Sequence, residues 1–396
     1  MTTAVPAARR WPVISALGVV MIFTWGSTYY LMTVLAAPIA ADTGWSLGSI
    51  TGALSAGLLV AGLASPRVGR AISRHGGRPV LAAGCAMIAA GLLVIAVAPA
   101  LWVFWAGWLI LGLGMAAGLY DPAFAALGRL YGAEARGAIT VLTLWGGFAS
   151  TVCWPLSAFM LELWGWRGVA AAYAAIHLVV TLPLVLAAIP GAGGGDRPAA
   201  RTTPEVALSG PERLVFGLMA AMLVLNGLMV VNISIWLFAF LQAQGLSLAT
   251  AVALGTLIGP AQVGARVLEM AGRGRHHPIW TLAASTVAIA AGLVLLALDL
   301  GIAGAALVLY GGGNGLFSIA RGALPLAVFG AARYPDLMGR LARPSLLAQA
   351  AAPALGAWLI GIAGTGATLG MIAALAVANL GVLALLWSAI RRPGIA

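Results

Sequence analysis

Apolar positions along this chain come in long uninterrupted blocks rather than in the alternating or one-sided patterns of soluble elements. A block of about 20 apolar residues, coiled as a helix, crosses the roughly 30 Å hydrocarbon layer of a bilayer. Such blocks predict spans at Val13 to Ala37, Leu47 to Val68, Pro79 to Ala98, Trp102 to Ala126, Ile139 to Leu163 and Val169 to Ile189. Six more fall at Leu214 to Gln242, Ala249 to Met270, Ile279 to Leu298, Ile302 to Phe329, Leu346 to Gly361 and Thr368 to Trp387. We number these spans 1 to 12. The stretch from Pro190 to Glu212 is rich in Gly, Pro, Ala and charge and reads as a flexible linker. The pattern therefore predicts an all-α integral membrane protein: an N-terminal six-helix bundle over 1–189, a cytoplasmic linker over 190–212 and a C-terminal bundle over 213–396.

Composition sharpens this. With 62% hydrophobic and only 8% charged side chains in 396 residues, most of the surface must face lipid, and no sizeable soluble domain fits. The basic residues are all arginine, since the 21 Lys+Arg include no lysine. That excludes a lysine Schiff base and the Walker A lysine. A net charge of +11 would suggest nucleic acid in a soluble protein, but here it must be read by location. Placing the N-terminus inside puts 18 of the 21 arginines on or near the cytoplasmic face, from Arg9 and Arg10 through Arg197, Arg201 and Arg273 to Arg391 and Arg392. By the positive-inside rule both termini are cytoplasmic, in a multi-pass protein of a bacterial-type inner membrane. Cys85 and Cys153 sit within apolar runs and read as buried hydrophobes.

The two halves resemble each other. Gly118-Leu119-Tyr120-Asp121 in span 4 matches Gly315-Leu316-Phe317-Ser318 in span 10; each is followed by a proline (Pro122, Pro325) and a loop tyrosine (Tyr131, Tyr334). Span 2 ends Pro66-Arg67-Val68-Gly69-Arg70, and span 8 carries Pro260 to Arg266 with the same elements. A duplicated six-helix bundle is a transporter architecture. The loop between spans 2 and 3 reads Gly69-Arg70-Ala71-Ile72-Ser73-Arg74-His75-Gly76-Gly77-Arg78. It resembles the G-x-x-x-D-R-x-G-R-R signature of the major facilitator superfamily, with Gly69, Arg70, Arg74, Gly76 and Arg78 as the signature positions. Ser73 replaces the family's acidic residue, so the resemblance implies a cytoplasmic latch that is weaker or built differently. Gly165-Trp166-Arg167 is similar to another element of that superfamily, and Asp42-Thr43-Gly44-Trp45-Ser46 resembles its monocarboxylate and oxalate-formate branch. Relatives in that branch often carry an arginine before a span 8 proline, where this chain has Gly259 before Pro260. A comparison with drug-proton antiporters places Trp108 where they have arginine. The resemblance implies two bundles that rock about a central site.

Charges inside spans are costly and mark function or an interface. Asp121 and Arg321 stand in spans 4 and 10 as a gating or coupling pair, the alternative being separate snorkelling. Arg266 and Glu269 read as an ion pair at the membrane surface; Glu162 and Asp299 read as solvated. Substrate-cavity candidates are Trp25, Thr28 and Tyr29, on one face of span 1 at i, i+3 and i+4, with Tyr120, Asn226, Asn232, Trp236, Tyr310 and Asn314. Interhelical packing is the competing reading for each. His177 reads as a satisfied packing residue. The Gly311 to Gly315 run, Gly48 with Gly52 and Gly114 with Gly118 read as close helix contacts, and His276 and His277 as a solvated turn, so no metal site is expected. The function this predicts is secondary active transport of a small molecule by alternating access, with a proton as candidate coupling ion, no cofactor, no nucleic acid and a monomer in the bilayer. A substrate sensor with a transporter fold and a polytopic membrane enzyme are the rival classes. No HExxH motif or paired carboxylates support the enzyme.

Overall fold

The computed structural model describes residues 10–191, 208–272 and 275–391, and among them every regular element is a helix. Helix is the expected outcome for apolar segments in lipid, because each backbone N–H and C=O is then satisfied within its own segment. The arginines Arg9, Arg197, Arg201, Arg273 and Arg392 and most of the linker lie outside the described residues.

Contacts divide the chain into two compact units, the first taking the described residues within Met1–Val206 together with Phe329–Arg343, the second those within Ala207–Val328 and Pro344–Ala396. The boundary differs from a cut at the linker because the stretch leading into span 11 packs on the first unit. In that unit α1 (Arg10–Gly26) and α2 (Leu31–Thr43) form span 1, α3 (Leu47–His75) span 2 and α4 (Gly77–Ala96) span 3. An 88-residue helical stretch, Leu101–Ala188, then makes three crossings. It is interrupted at Leu119 between α5 (Leu101–Gly118) and α6 (Tyr120–Tyr131), and at Gly132–Glu134 before α7 (Ala135–Gly147). Phe148 separates α7 from α8 (Ala149–Ile176), which breaks again at Gly165 (φ 64°, ψ 177°). A π-helical turn, His177–Thr181, leads to α9 (Leu182–Ala188).

The second unit holds α10 (Gly210–Ala243), α11 (Leu248–Gly255), α12 (Ile258–Ala271), α13 (Pro278–Ala297), α14 (Ala303–Phe329) and the last two spans of α15 (Tyr334–Ile390), which are separated by a break at Gly364 (φ 82°). The apolar stretches thus supply twelve crossings. α10 starts three residues inside the predicted linker, since Ser209 and Glu212 close a reciprocal capping box that satisfies its first amides.

Packing inside each unit depends on close backbone approach, as lipid tails offer helices no hydrophobic reason to associate. A methyl at Gly112 would lie 2.3 Å from the Gly57 carbonyl oxygen, and one at Gly315 would lie 2.4 Å from that of Gln262. Gly311 and Gly114 are close as well, a methyl there lying 2.8 Å from the Ile258 carbonyl oxygen and 2.6 Å from the Ile88 side chain. Gly48 differs from expectation: only the Ser46 hydroxyl comes within 4 Å, so it makes no close helix contact. Large apolar side chains such as Trp102, Phe159, Leu268 and Trp358 are exposed, which fits surfaces solvated by acyl chains.

Candidate functional site

Two helices of the first unit break at related places, and an aromatic cluster fills the breaks. Between α1 and α2, residues 27–30 leave the helical path: Tyr30 donates its amide to the Trp25 carbonyl (3.1 Å), five residues back. The polar run Ser27-Thr28 favours this, because short hydroxyls compete for backbone groups. The Thr28 hydroxyl donates to the Thr24 carbonyl at 2.5 Å. Between α5 and α6, Leu119 is extended (φ −92°, ψ −162°). Pro122 lies one turn beyond Gly118, where its ring opposes the Gly118 carbonyl and offers no N–H to it. The paired helix α14 keeps one continuous course through Pro325, so the sequence repeat does not extend to this break.

Around the breaks, the Trp25 ring lies 5.3 Å from Tyr29, 5.9 Å from Tyr30 and 5.2 Å from Tyr120. Tyr120 stacks on Phe124 at 5.2 Å and 12°, and Tyr30 meets Trp154 edge-on at 5.9 Å. The Trp25 indole N–H is buried with no hydrogen-bond partner among the described residues. Trp25, Tyr29 and Tyr120 therefore do come together. They do so through a turn, and not through the helical i, i+3, i+4 face assigned to span 1. Thr28 is fully buried, with its hydroxyl returned to the backbone. Tyr30, Phe124 and Trp154 were not singled out in the sequence. Only the doublet Tyr29-Tyr30 hinted at one of them.

Asp121 stands in the first turn of α6, at a helix start rather than within a continuous helix. The partial positive charge of that terminus favours a carboxylate.

The signature segment joins α3 to α4. Gly76 takes φ 83° to turn α3 into α4, a conformation that costs other residues strain. Gly69 lets α3 meet the start of α15: a methyl there would lie 2.6 Å from the Pro335 carbonyl oxygen, and one at Gly339 would lie 2.4 Å from that of Ser65. Tyr334 is fully buried over Gly128. The family's acidic position is Ser73, and the Arg129 guanidinium reaches the Ser73 backbone carbonyl instead. Asp336, also buried, lies 3.8 Å from Arg340. Arg74 is exposed in the last turn of α3, while Arg70 and Arg78 are half-buried.

In the second unit, Asn226 and Asn232 are each 7% exposed, and both side-chain carbonyl oxygens lack hydrogen-bond partners among the described residues. Asn232 donates its amide to the Leu228 carbonyl (2.9 Å), which fixes the oxygen outward. That oxygen and the Trp236 indole N–H converge on Gly356, where a methyl would meet them at 2.0 and 2.6 Å. Asn314 donates to the Tyr310 carbonyl (3.3 Å), and Tyr310 is buried with its backbone against Gly292. Arg321 lines a small apolar cavity with Met219, Met222, Leu223, Phe317 and Leu324.

The expected Arg266–Glu269 ion pair does not form. Arg266, 5% exposed, directs its Nε to the Ser318 hydroxyl (3.1 Å) and the Gly315 carbonyl (3.4 Å). Glu269 is taken up by Thr281 (2.8 Å) and His276 (3.2 Å), so His276 is paired and not merely solvated. Residues three apart on α12 share a side of the helix, but the arginine stem points back towards the N-terminus and into the α14 seam. Among the described residues no cluster of three or more His, Cys, Asp or Glu could hold a metal.

Twelve apolar crossings and close glycine seams, with two helices broken in the first unit, define a polytopic membrane protein. The chain belongs to the Major Facilitator Superfamily, whose profile matches residues 17–342. It is 33% identical over 175 residues to mouse monocarboxylate transporter 11 and 32% identical over 181 residues to the human protein of that name. These matches cover 43% of this chain and span only 36% and 34% of the two relatives. Among solved structures, the human organic anion transporter MFSD10 aligns with a TM-score of 0.75 over 94% of this chain and 99% of its own, at 16% identity. The transporter FucP in its outward conformation aligns at 0.74 over 96% and 99%, and the proton:xylose symporter XylE at 0.72 over 96% and 96%, both at 14% identity. Such identities speak for the fold alone.

Proposed function

We propose that this protein is a secondary transporter that carries an organic small molecule across a bacterial-type inner membrane by alternating access, as a monomer with both termini in the cytoplasm. The observation that carries the reading is the ring cluster of Trp25, Tyr29, Tyr30 and Tyr120 at two helix breaks. Helix breaks leave backbone that can rearrange, and rings supply contact area for the apolar body of a substrate at low entropic cost. Within the second unit, Asn226, Asn232 and Trp236 offer polar contacts, since a buried amide or indole without a protein partner gains most from a ligand. Asp121, at a helix start, is the proposed proton-coupling carboxylate, and Arg321 the proposed gating cation. The distribution of arginines supports the cytoplasmic assignment.

The test is a ligand-stabilisation screen on the purified protein across neutral, cationic and anionic aromatic compounds, followed by flux of the hits in liposomes with and without a pH gradient. The reading expects hits that are transported, and whose stabilisation is lost in Trp25→Ala. Binding without flux would replace it with a substrate sensor.

A further inference from the structure

One buried titratable side chain has no part in the site as described. His177 is fully buried at the start of the π-helical turn His177–Thr181. Its Nε2 lies 2.7 Å from the Ser27 hydroxyl, and its Nδ1 lies 2.9 Å from the Thr181 hydroxyl. Either ring bond can run in either direction, according to which nitrogen carries the proton. The Thr181 hydroxyl also lies 3.1 Å from the His177 carbonyl, to which it can donate. With its proton used there, its oxygen accepts from His177 and the ring proton stands on Nδ1. Nε2 then keeps its lone pair, and the fully buried Ser27 hydroxyl donates to it.

Ser27 is the first residue of the turn that breaks span 1. Its amide still bonds to the Phe23 carbonyl at 2.9 Å, whereas the Tyr30 amide reaches the Trp25 carbonyl. A π-turn shifts side chains out of α-helical register, and such turns recur at functional places. Here the turn begins at the residue that holds the other helix's break. Gly26 adds a second anchor, since a methyl there would lie 2.1 Å from the Cys153 sulfur of α8.

We propose that His177 is a positioning residue of the candidate site: by accepting the Ser27 hydroxyl proton on Nε2 it pins the helix break from span 6, and so sets where Tyr29 and Tyr30 stand beside Trp25. His177 touches no ring of the cluster in this role; it acts through Ser27. The assignment of a site to these rings rests on the proposed function, whereas the pinning can be measured without any ligand.

The experiment uses the full-length protein in lipid nanodiscs with 15N-labelled histidine. The sequence has four histidines, and His177→Gln identifies the resonances of this one. The expected spectrum shows a neutral ring with Nδ1 protonated and Nε2 accepting, and Ser27→Ala shifts the Nε2 resonance. In hydrogen exchange, a peptide covering 23–31 exchanges about tenfold faster in His177→Leu and in Ser27→Ala, the size expected of one lost buried hydrogen bond. His177→Gln restores protection, because its amide oxygen reaches the Nε2 position, and exchange elsewhere in the first unit stays at wild-type rates.

A protonated Nε2, unchanged exchange at 23–31, an equal rise throughout the unit, or failure of glutamine to restore protection would each overturn the proposal. Should His177→Leu fail to fold, Ser27→Ala carries the test, as it removes one hydroxyl. With a compound from the screen, affinity that falls in Trp25→Ala but not in Ser27→Ala overturns the positioning role and leaves the functional reading standing. Affinity indifferent to Trp25→Ala, with the exchange and spectral results as expected, overturns the functional reading and leaves the pinning of the break intact.

Discussion

Trp166 donates its indole N–H to the Asp42 carboxylate at 2.8 Å, joining the last turn of α2 to the connection between spans 5 and 6. Arg167 adds a bond to the same oxygen at 2.7 Å, lies 4.1 Å over the Trp166 ring, and reaches the Ala98 carbonyl at 3.2 Å. Two sequence elements noted separately, Asp42 to Ser46 and Gly165 to Arg167, are therefore halves of one clasp. An exposed ion pair by itself contributes little, but the indole bond anchors a nearly buried ring. Asp42→Ala, which strips both donors of their acceptor, should lower the melting temperature more than Arg167→Gln. Equal effects in thermal unfolding would show that the indole bond contributes nothing.

The Gly69 and Gly339 contact leaves no room for a methyl, and the opposing atoms are backbone, which cannot rotate aside. Gly69→Ala should force α3 and the start of α15 apart, at an overpacking cost of about 1 to 3 kcal/mol. Met338, 2% exposed, is the reporter: a cysteine placed there should react slowly with a maleimide in the wild-type background and rapidly with Gly69→Ala. Equal labelling would show that the contact is not closed in solution.

The α5 to α6 break is assigned to Pro122 opposite Gly118. Pro122→Ala restores an N–H and removes the clash, so the helix should close through Leu119. Stability should rise while flux of any transported compound falls, read from thermal unfolding and liposome uptake. A variant that is both more stable and fully active would mean that the break has no part in transport.

Arg266 is buried without its expected carboxylate, and its two acceptors do not depend on it, because the Ser318 hydroxyl already donates to the Gly315 carbonyl at 2.7 Å. Arg266→Met would leave no orphaned group and would remove a costly buried charge. Its melting temperature should equal or exceed that of the parent. A fall of several degrees would show that the guanidinium is paid for by contacts beyond those two.

Tyr120→Phe keeps the stack on Phe124 and loses the long bond from its hydroxyl to the Thr143 carbonyl (3.3 Å), so binding of a screened ligand should change little. Trp25→Ala removes three ring contacts, each worth about 0.5 to 1.5 kcal/mol, and should weaken binding at least tenfold. Isothermal titration with both variants separates a ring surface from a specific phenolic hydrogen bond.

What the amino-acid order decided by itself was the number of crossings and the family, because both rest on local properties. A 20-residue apolar block must be helical in lipid whatever surrounds it, and Gly69, Gly76 and the arginines of one loop are recognisable in a short window. The charged residues were also legible as expensive; Arg266 and Arg321 stand within α12 and α14, and Asp121 in the first turn of α6. Their partners were not legible. Glu269 is three residues from Arg266, yet a side chain on a helix leans towards the preceding turn, and only the α14 seam decides what the arginine meets. The same limit applied to span 1, where the apolar count predicts one continuous helix. Ser27, Thr28 and Tyr30 weaken it locally, but the break is held by His177, 150 residues away, and by Cys153 against Gly26. Hydropathy is summed along the chain, whereas a buried hydroxyl chooses its partner by distance in space, and that choice belongs to the tertiary structure.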